Sequence, residues 1–273
     1  MSSTLPRLGV ALTLPGLIQH HNWIIEEERD LEIQDFCEID MLQGDWRPRA
    51  QEVKRLLRGH RGRLGSHGPF YGLDIASKDP AIRAVVRARM QQGLDQCAVL
   101  GATQMVIHSP FTTWDAHHLD AIPGARGRIA ERAMDTLAPV VRRAEELGVE
   151  LAVENIEDRD PLWRIELARA FNSRAVRVSL DTGHANYAHH VTGGPPVDYY
   201  VTAAGGDLAH VHLQDTDGYA DRHWHPGEGN VPWRAVFAAM AASGAAPRLI
   251  IEVKDEVGIR SGLDHLLALG IAA

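Results

Sequence analysis

Eight short apolar or β-branched runs alternate with longer amphipathic segments along the 273 residues, and few architectures accept that alternation. The runs are Leu8–Thr13, Leu31–Phe36, Arg63–His67, Gln104–His108, Glu150–Glu154, Val176–Asp181, Ala209–Leu213 and Leu249–Val253. Each is hemmed by Gly, Pro or charged residues, as strands covered on both faces should be. The intervening segments read as helices with legible ends. Asp79-Pro80 offers a cap and a first-turn residue for a helix over Asp79–Leu100 that stops at Gly101. Arg126–Leu147 stops at Gly148 and Pro232–Ser243 at Gly244. Strands separated by helices imply a parallel sheet. Eight of them, in a chain close to the roughly 250 residues typical of a closed eightfold barrel, predict one α/β domain over 1–273, a single (β/α)8 TIM barrel. No Gly-x-Gly-x-x-Gly follows the first run, which removes the main dinucleotide-binding signal of an open sheet.

The position of the ionisable residues then matters. His67, His108, Glu154, Asp181, His212 and Glu252 stand at or beside the C-terminal ends of runs three to eight. In such a barrel those ends meet at one mouth, where active sites are found. So many buried ionisable groups would repel one another or stay unpaired unless a cation joined them. Glu154, Asp181, His212 and Glu252 offer three carboxylates and an imidazole, a set that suits Mn2+, Mg2+, Co2+ or Zn2+ and does not choose among them. Lys254 shares strand parity with Glu252, which leaves it either facing the same pocket or solvated on the rim. Trp114, after run four, offers a face on which a sugar could stack, with packing as the plainer role of a tryptophan there.

Composition narrows the partners. A net charge of −8 argues against a polyanionic partner, and no apolar run reaches the roughly 18 residues of a membrane helix. The first residues, MSSTLPRLGV, lack a secretory pattern, and Cys37 and Cys97 read as buried free thiols, so the cytoplasm is the expected compartment. The sequence does not fix an oligomeric state; a homo-oligomer is possible, and among soluble oligomers a dimer is the default. The paired histidines His20, His21, His117, His118, His189 and His190 read as surface residues. The PGEGN segment reads as a turn, although it lies where barrels often bind phosphate.

The segments VEN (Val153–Asn155), SLDTGH (Ser179–His184), HVHLQDTDG (His210–Gly218), DRHWHPGEGN (Asp221–Asn230) and IIEV (Ile250–Val253) together resemble the xylose isomerase-like barrels. That superfamily holds sugar isomerases and epimerases as well as the endonuclease IV enzymes of DNA repair. The resemblance runs from Gly65 onward. It implies that Glu154, Asp181, His212 and Glu252 are the shared metal ligands. It places His184 on a position that binds substrate in ketose epimerases and metal in the endonucleases. It also matches His67 in SHGPF, His108 in IHSP, and Asp221 with His223 in DRH to further zinc ligands of the endonucleases, so that more than one ion would be held. Three departures stand out. Gly183 occupies a cysteine position of the endonuclease pattern, Thr216-Asp217-Gly218 replaces a longer Lys-Ser loop, and Gly218 stands where ketose 3-epimerases carry an arginine.

Two reactions follow from the resemblance. The first is metal-dependent isomerisation or epimerisation of a sugar or sugar-like molecule, a step of carbohydrate metabolism. Glu154 and Glu252 would then exchange a proton beside a carbonyl, with His184, Lys254, Trp114, His67 and His108 against the substrate. The second is an endonuclease IV-like multinuclear zinc phosphodiesterase acting on abasic DNA, with the same histidines as ligands.

Overall fold

The computed structural model describes residues 5–119 and 121–273. Eight parallel strands close on themselves in chain order: β1 Leu8–Leu12, β2 Leu31–Ile33, β3 Leu64–His67, β4 Gln104–His108, β5 Glu150–Glu154, β6 Val176–Asp181, β7 Leu208–Leu213 and β8 Arg248–Ile251. The seam pairs Val10 of β1 with Ile251 of β8. The fold is a (β/α)8 barrel, as the alternation predicts. Helices Pro80–Leu100, Ala125–Leu147 and Trp233–Ser243 fall within one residue of their expected ranges. Asp79 caps the first of them by accepting from Ala81 N at 2.8 Å.

Two strands, β2 and β8, end two or more residues short of expectation. The second run stops at Ile33, and Asp35–Cys37 coils into a short 3-10 turn. The Asp35 carboxylate accepts from Leu14 N at 2.7 Å, which pulls the chain out of the sheet and over the barrel top. The last strand starts one residue early, at Arg248, and ends at Ile251. Glu252 nevertheless keeps a sheet bond, its N–H reaching Leu213 O at 3.2 Å.

Alternation along the strands separates two interiors. Leu8, Val10 and Leu12, with Leu151, Val153, Val211 and Leu213, join helix side chains in one apolar cluster between barrel and helices. Each fully buried side chain of this kind is worth about 1.5–3 kcal/mol. The alternate positions face the barrel axis, and many are polar. Glu32 is registered between Ala11 and Gly65, His210 between Ser179 and Arg248, and His212 between Asp181 and Ile250. Strands covered on both faces are therefore apolar on one side only here. Glu32, Ser179, His210 and His212 are all buried.

A candidate metal centre at the barrel mouth

The C-terminal strand ends open into a cavity of about 820 Å3, walled by strand-end residues and by Phe70 and Tyr71 from the loop after β3. Closure delivers the expected ligands to one place. Glu154 ends β5, Asp181 ends β6, His212 stands one residue before the end of β7, and Glu252 follows β8. One ligand atom from each lies within 4.8 Å of all the others. His212 Nδ1 contacts Glu154 Oε1 and lies 3.4 Å from Glu252 Oε2. Asp181 Oδ1 accepts from His184 N at 2.7 Å and from Gln214 Nε2 at 3.1 Å, whereas its Oδ2 is buried with no partner among the described residues. An orphaned carboxylate oxygen costs folding free energy. Beside two further carboxylates, it is what a cation would satisfy. The residues present fit a divalent metal.

Two further groups flank this one. His108 Nε2 and His67 Nε2 lie 3.5 and 3.9 Å from Glu154 Oε2. His223 Nε2 and His184 Nε2 lie 3.1 and 3.5 Å from Asp221 Oδ1. Each trio satisfies the same 4.8 Å condition, and Glu154 belongs to two of the groups.

The charges in the cluster balance through protons. Burial opposes a charge on His212, yet Glu252, Glu32 and Glu154 together hold its pKa well above the ordinary histidine value. His184 is raised in the same way against burial, chiefly by Asp181 and then by Asp221. His223 rises to about 9, with Asp221 and Glu252 outweighing burial. Burial pushes Asp181 up to about 6, with Glu154 adding to the push and His184 opposing it. Burial and His67 drive His108 down to about 3, leaving a neutral imidazole ready to act as a ligand.

Lys254 lines the cavity, one of the two placements that strand parity leaves open. Trp114 does not join it. This residue sits on the helix Thr113–His118, 72% exposed, with its ring 4.3 Å from that of His118 and outside the cavity wall. The loop after β4 turns it outward, so it neither packs in the core nor offers a stacking face to the site. His20 is a correction as well. Read as a surface residue, it is buried, with Nε2 2.8 Å from Glu256 O. Three PGEGN amides are already engaged: Gly227 N donates to Asp215 Oδ2 at 2.8 Å, Glu228 N to His225 O at 3.0 Å and Asn230 N to Thr216 O at 2.9 Å. The chain's own carboxylate stands where a phosphate oxygen would have to bind.

Sequence reasoning missed Glu32, Gln34, His210 and Gln214. Gln34 Nε2 donates to Glu32 Oε1 at 3.0 Å and to Glu252 Oε1 at 2.7 Å. Gln214 Nε2 donates to both Asp181 Oδ1 and Asp221 Oδ1, while its Oε1 accepts from His223 N at 3.0 Å. A signal existed. Glu32 is charged inside an apolar run, and His210 and Gln214 share the parity of His212. The departures at two glycines also find a cause. A Cβ at position 183 would meet the Gln214 side chain, and one at Gly218, where φ is +77°, would stand 2.7 Å from the His190 ring.

Comparison with known proteins agrees with this architecture. A family model described as xylose isomerase-like TIM barrel matches residues 34–269. An uncharacterized protein of Methanocaldococcus jannaschii is 25% identical over 199 residues, which cover 69% of this chain and 64% of that relative's own length. A probable endonuclease 4 of Mycobacterium leprae is 26% identical over 194 residues, covering 70% of this chain and 72% of that protein. Among solved structures, the TTHB071 protein of Thermus thermophilus, soaked with ZnCl2, superposes with a TM-score of 0.75 at 27% identity, covering 96% of this chain and 97% of that one. A D-tagatose 3-epimerase-like protein gives a TM-score of 0.75 at 21% identity, covering 96% and 97%. This last likeness concerns the fold.

Proposed function

The chain belongs to the xylose isomerase-like TIM barrels, and from that premise we propose that it is a divalent-metal-dependent isomerase or epimerase acting on a sugar or sugar-like small molecule. One observation carries the reading: the carboxylates of Glu154 and Glu252, delivered by β5 and by the end of β8, meet at the same nitrogen of His212 beside the cavity. Two bases set around one point suit a reaction in which a proton leaves one side of a carbon and returns on the other. The cavity size supports a small substrate. Beside the candidate ligands and the histidines, its wall carries Asp35, Glu38, Asp40 and Glu256 with Arg49 and Lys254, an acidic balance that disfavours a polyanion.

Glu154, Asp181, His212 and Glu252 would hold the metal. When bound, a divalent cation supplies Lewis-acid stabilisation of charge developing on a carbonyl oxygen and its neighbour. One of Glu154 and Glu252 takes the proton next to the carbonyl and the other returns one. His184, fixed by Asn155 O at 2.8 Å from its Nδ1, presents Nε2 to a substrate oxygen. Lys254 stands at the rim to receive a further hydroxyl.

A specific observation favours a second reading. Nine side chains in three adjoining groups, with Glu154 shared, match the ligand inventory of a multinuclear zinc phosphodiesterase, and the chain has a relative named probable endonuclease 4. The two readings separate in one assay series. Glu154→Gln and Glu252→Gln should each abolish solvent deuterium exchange into ketose substrates of the metal-loaded protein. Cleavage of abasic duplex DNA, with no exchange into any sugar tested, would favour the phosphodiesterase instead.

A further inference from the structure

Beneath the mouth, inside the closed barrel, Glu32 is 2% exposed and sits between two imidazoles. Its Oε1 lies 3.0 Å from His212 Nε2 and its Oε2 lies 3.2 Å from His210 Nε2. His210 is tied in turn to Ser179, with Nδ1 2.8 Å from Oγ. Gln34 bridges Glu32 to Glu252 through one amide nitrogen. Glu32, Ser179 and His210 stand outside the cavity wall, so the mechanism above leaves them unused. Placing a carboxylate here without a role would be costly, because a buried charge must be offset by its partners.

An imidazole that offers one nitrogen to a cation carries its proton on the other, and that proton needs an acceptor. His212 turns Nδ1 toward Glu154 and Glu252, and Nε2 toward Glu32. We infer that Glu32 is a positioning residue: by accepting the Nε2 proton it fixes the tautomer and ring plane that aim His212 Nδ1 at the metal, and through Gln34 it also orients Glu252. The inference rests on the metal-dependent reading above. It concerns a residue that touches neither substrate nor ion. His210 flanks the second oxygen of Glu32, its Nε2 3.2 Å from Oε2, and adds a second imidazole to the surroundings of the carboxylate.

The test compares Mn2+ binding by calorimetry in the wild-type chain, Glu32→Ala and Glu32→Gln. Glu32→Ala should weaken binding by about 10- to 100-fold, the usual effect of losing such a partner, while Glu32→Gln, whose amide oxygen accepts the same proton, stays within about threefold of wild type. Unchanged affinity in Glu32→Ala, or a Gln variant as weak as the Ala variant, overturns the inference. A second measurement needs no variant to fold. In the Zn2+-loaded wild-type chain with 15N-labelled histidine, NMR should find the His212 proton on Nε2, and a proton on Nδ1 overturns the assignment. If the wild-type chain takes up neither Mn2+ nor Zn2+, the metal-dependent function itself falls. If it binds normally and Glu32→Ala binds as well, only the role of Glu32 is lost.

Discussion

The side-chain amide of Gln214 fills the space beside Gly183, its Cδ and Oε1 standing where a Cβ at position 183 would have to go. The amide cannot simply swing aside, because it binds Asp181, Asp221 and the backbone of His223 at once. Glycine at 183 and glutamine at 214 are one device. Together they lace the loop after β7 to the end of β6.

A sign reversal follows for Gly183→Ala. In the wild-type background the added methyl should destabilise by about 1–3 kcal/mol through overpacking. In a Gln214→Ala background the clash is gone. There the same change should be neutral or stabilising by up to about 1 kcal/mol, since alanine is the better helix residue and Gly183 lies in the helix Thr182–Tyr187. Urea unfolding of the four proteins measures the cycle. Additive effects would show that the two side chains do not share this space.

Metal uptake should release protons. His212 is held protonated by Glu252, Glu32 and Glu154, two of which the ion would claim along with His212 Nδ1 itself, so binding must expel that proton. Calorimetry in buffers of different ionisation enthalpy should show about one or more protons released per ion near pH 7. The sign for the metal-free chain is the opposite of the usual carboxylate case. The folded-state values of His212 and His184 both lie above the unfolded one, so their stabilising contribution is complete below about pH 6.5 and fades as pH rises through the folded-state values. Metal-loaded protein should instead gain stability over that range. A buffer-independent heat of binding would contradict the protonated cluster.

The ion count is open to direct measurement by elemental analysis of protein purified without chelator. The central group alone predicts one ion per chain, and the flanking groups raise the count toward three. Replacing His67 and His108 together by Ala should lower a higher count by about one and leave a count of one unchanged. Loss of the sole ion in that double variant would mean the central group does not hold it.

Asp215 should matter for stability without touching the cavity. Fully buried, it accepts from Thr216 N, Gly227 N, Val231 N and Trp233 Nε1 at 2.8–3.1 Å. Asp215→Ala leaves these donors unpaired and should cost at least about 3 kcal/mol. Thermal or urea unfolding would show it. A cost below about 1 kcal/mol would mean that the PGEGN loop is held by other contacts.

How much of this was legible in the sequence depends on the size of the local signal. The strands β4, β5 and β6 matched their runs to the residue, because five or six apolar-rich positions between turn residues leave little choice. The three-residue β2 was overextended to Phe36. Its end is set by Leu14 N reaching the Asp35 carboxylate, a contact across 21 residues that no local pattern encodes. Position alone leaves Trp114 open between packing and stacking on a ligand, and the structure gives it neither, because the direction of its side chain is decided by how the segment after β4 folds back.

The sequence by itself determined the class of fold, the eight strands and the donor types that stand at their ends, because hydrophobic period and residue chemistry are local properties. It could not say that Glu32 backs His212 across 180 positions, that Gln214 needs Gly183, or that Asp215 occupies its own glycine-rich loop. Those pairings exist only once β1 meets β8 and the cylinder closes. Closure turns strand parity into shared space, and shared space decides which polar groups satisfy one another and which are left for an ion.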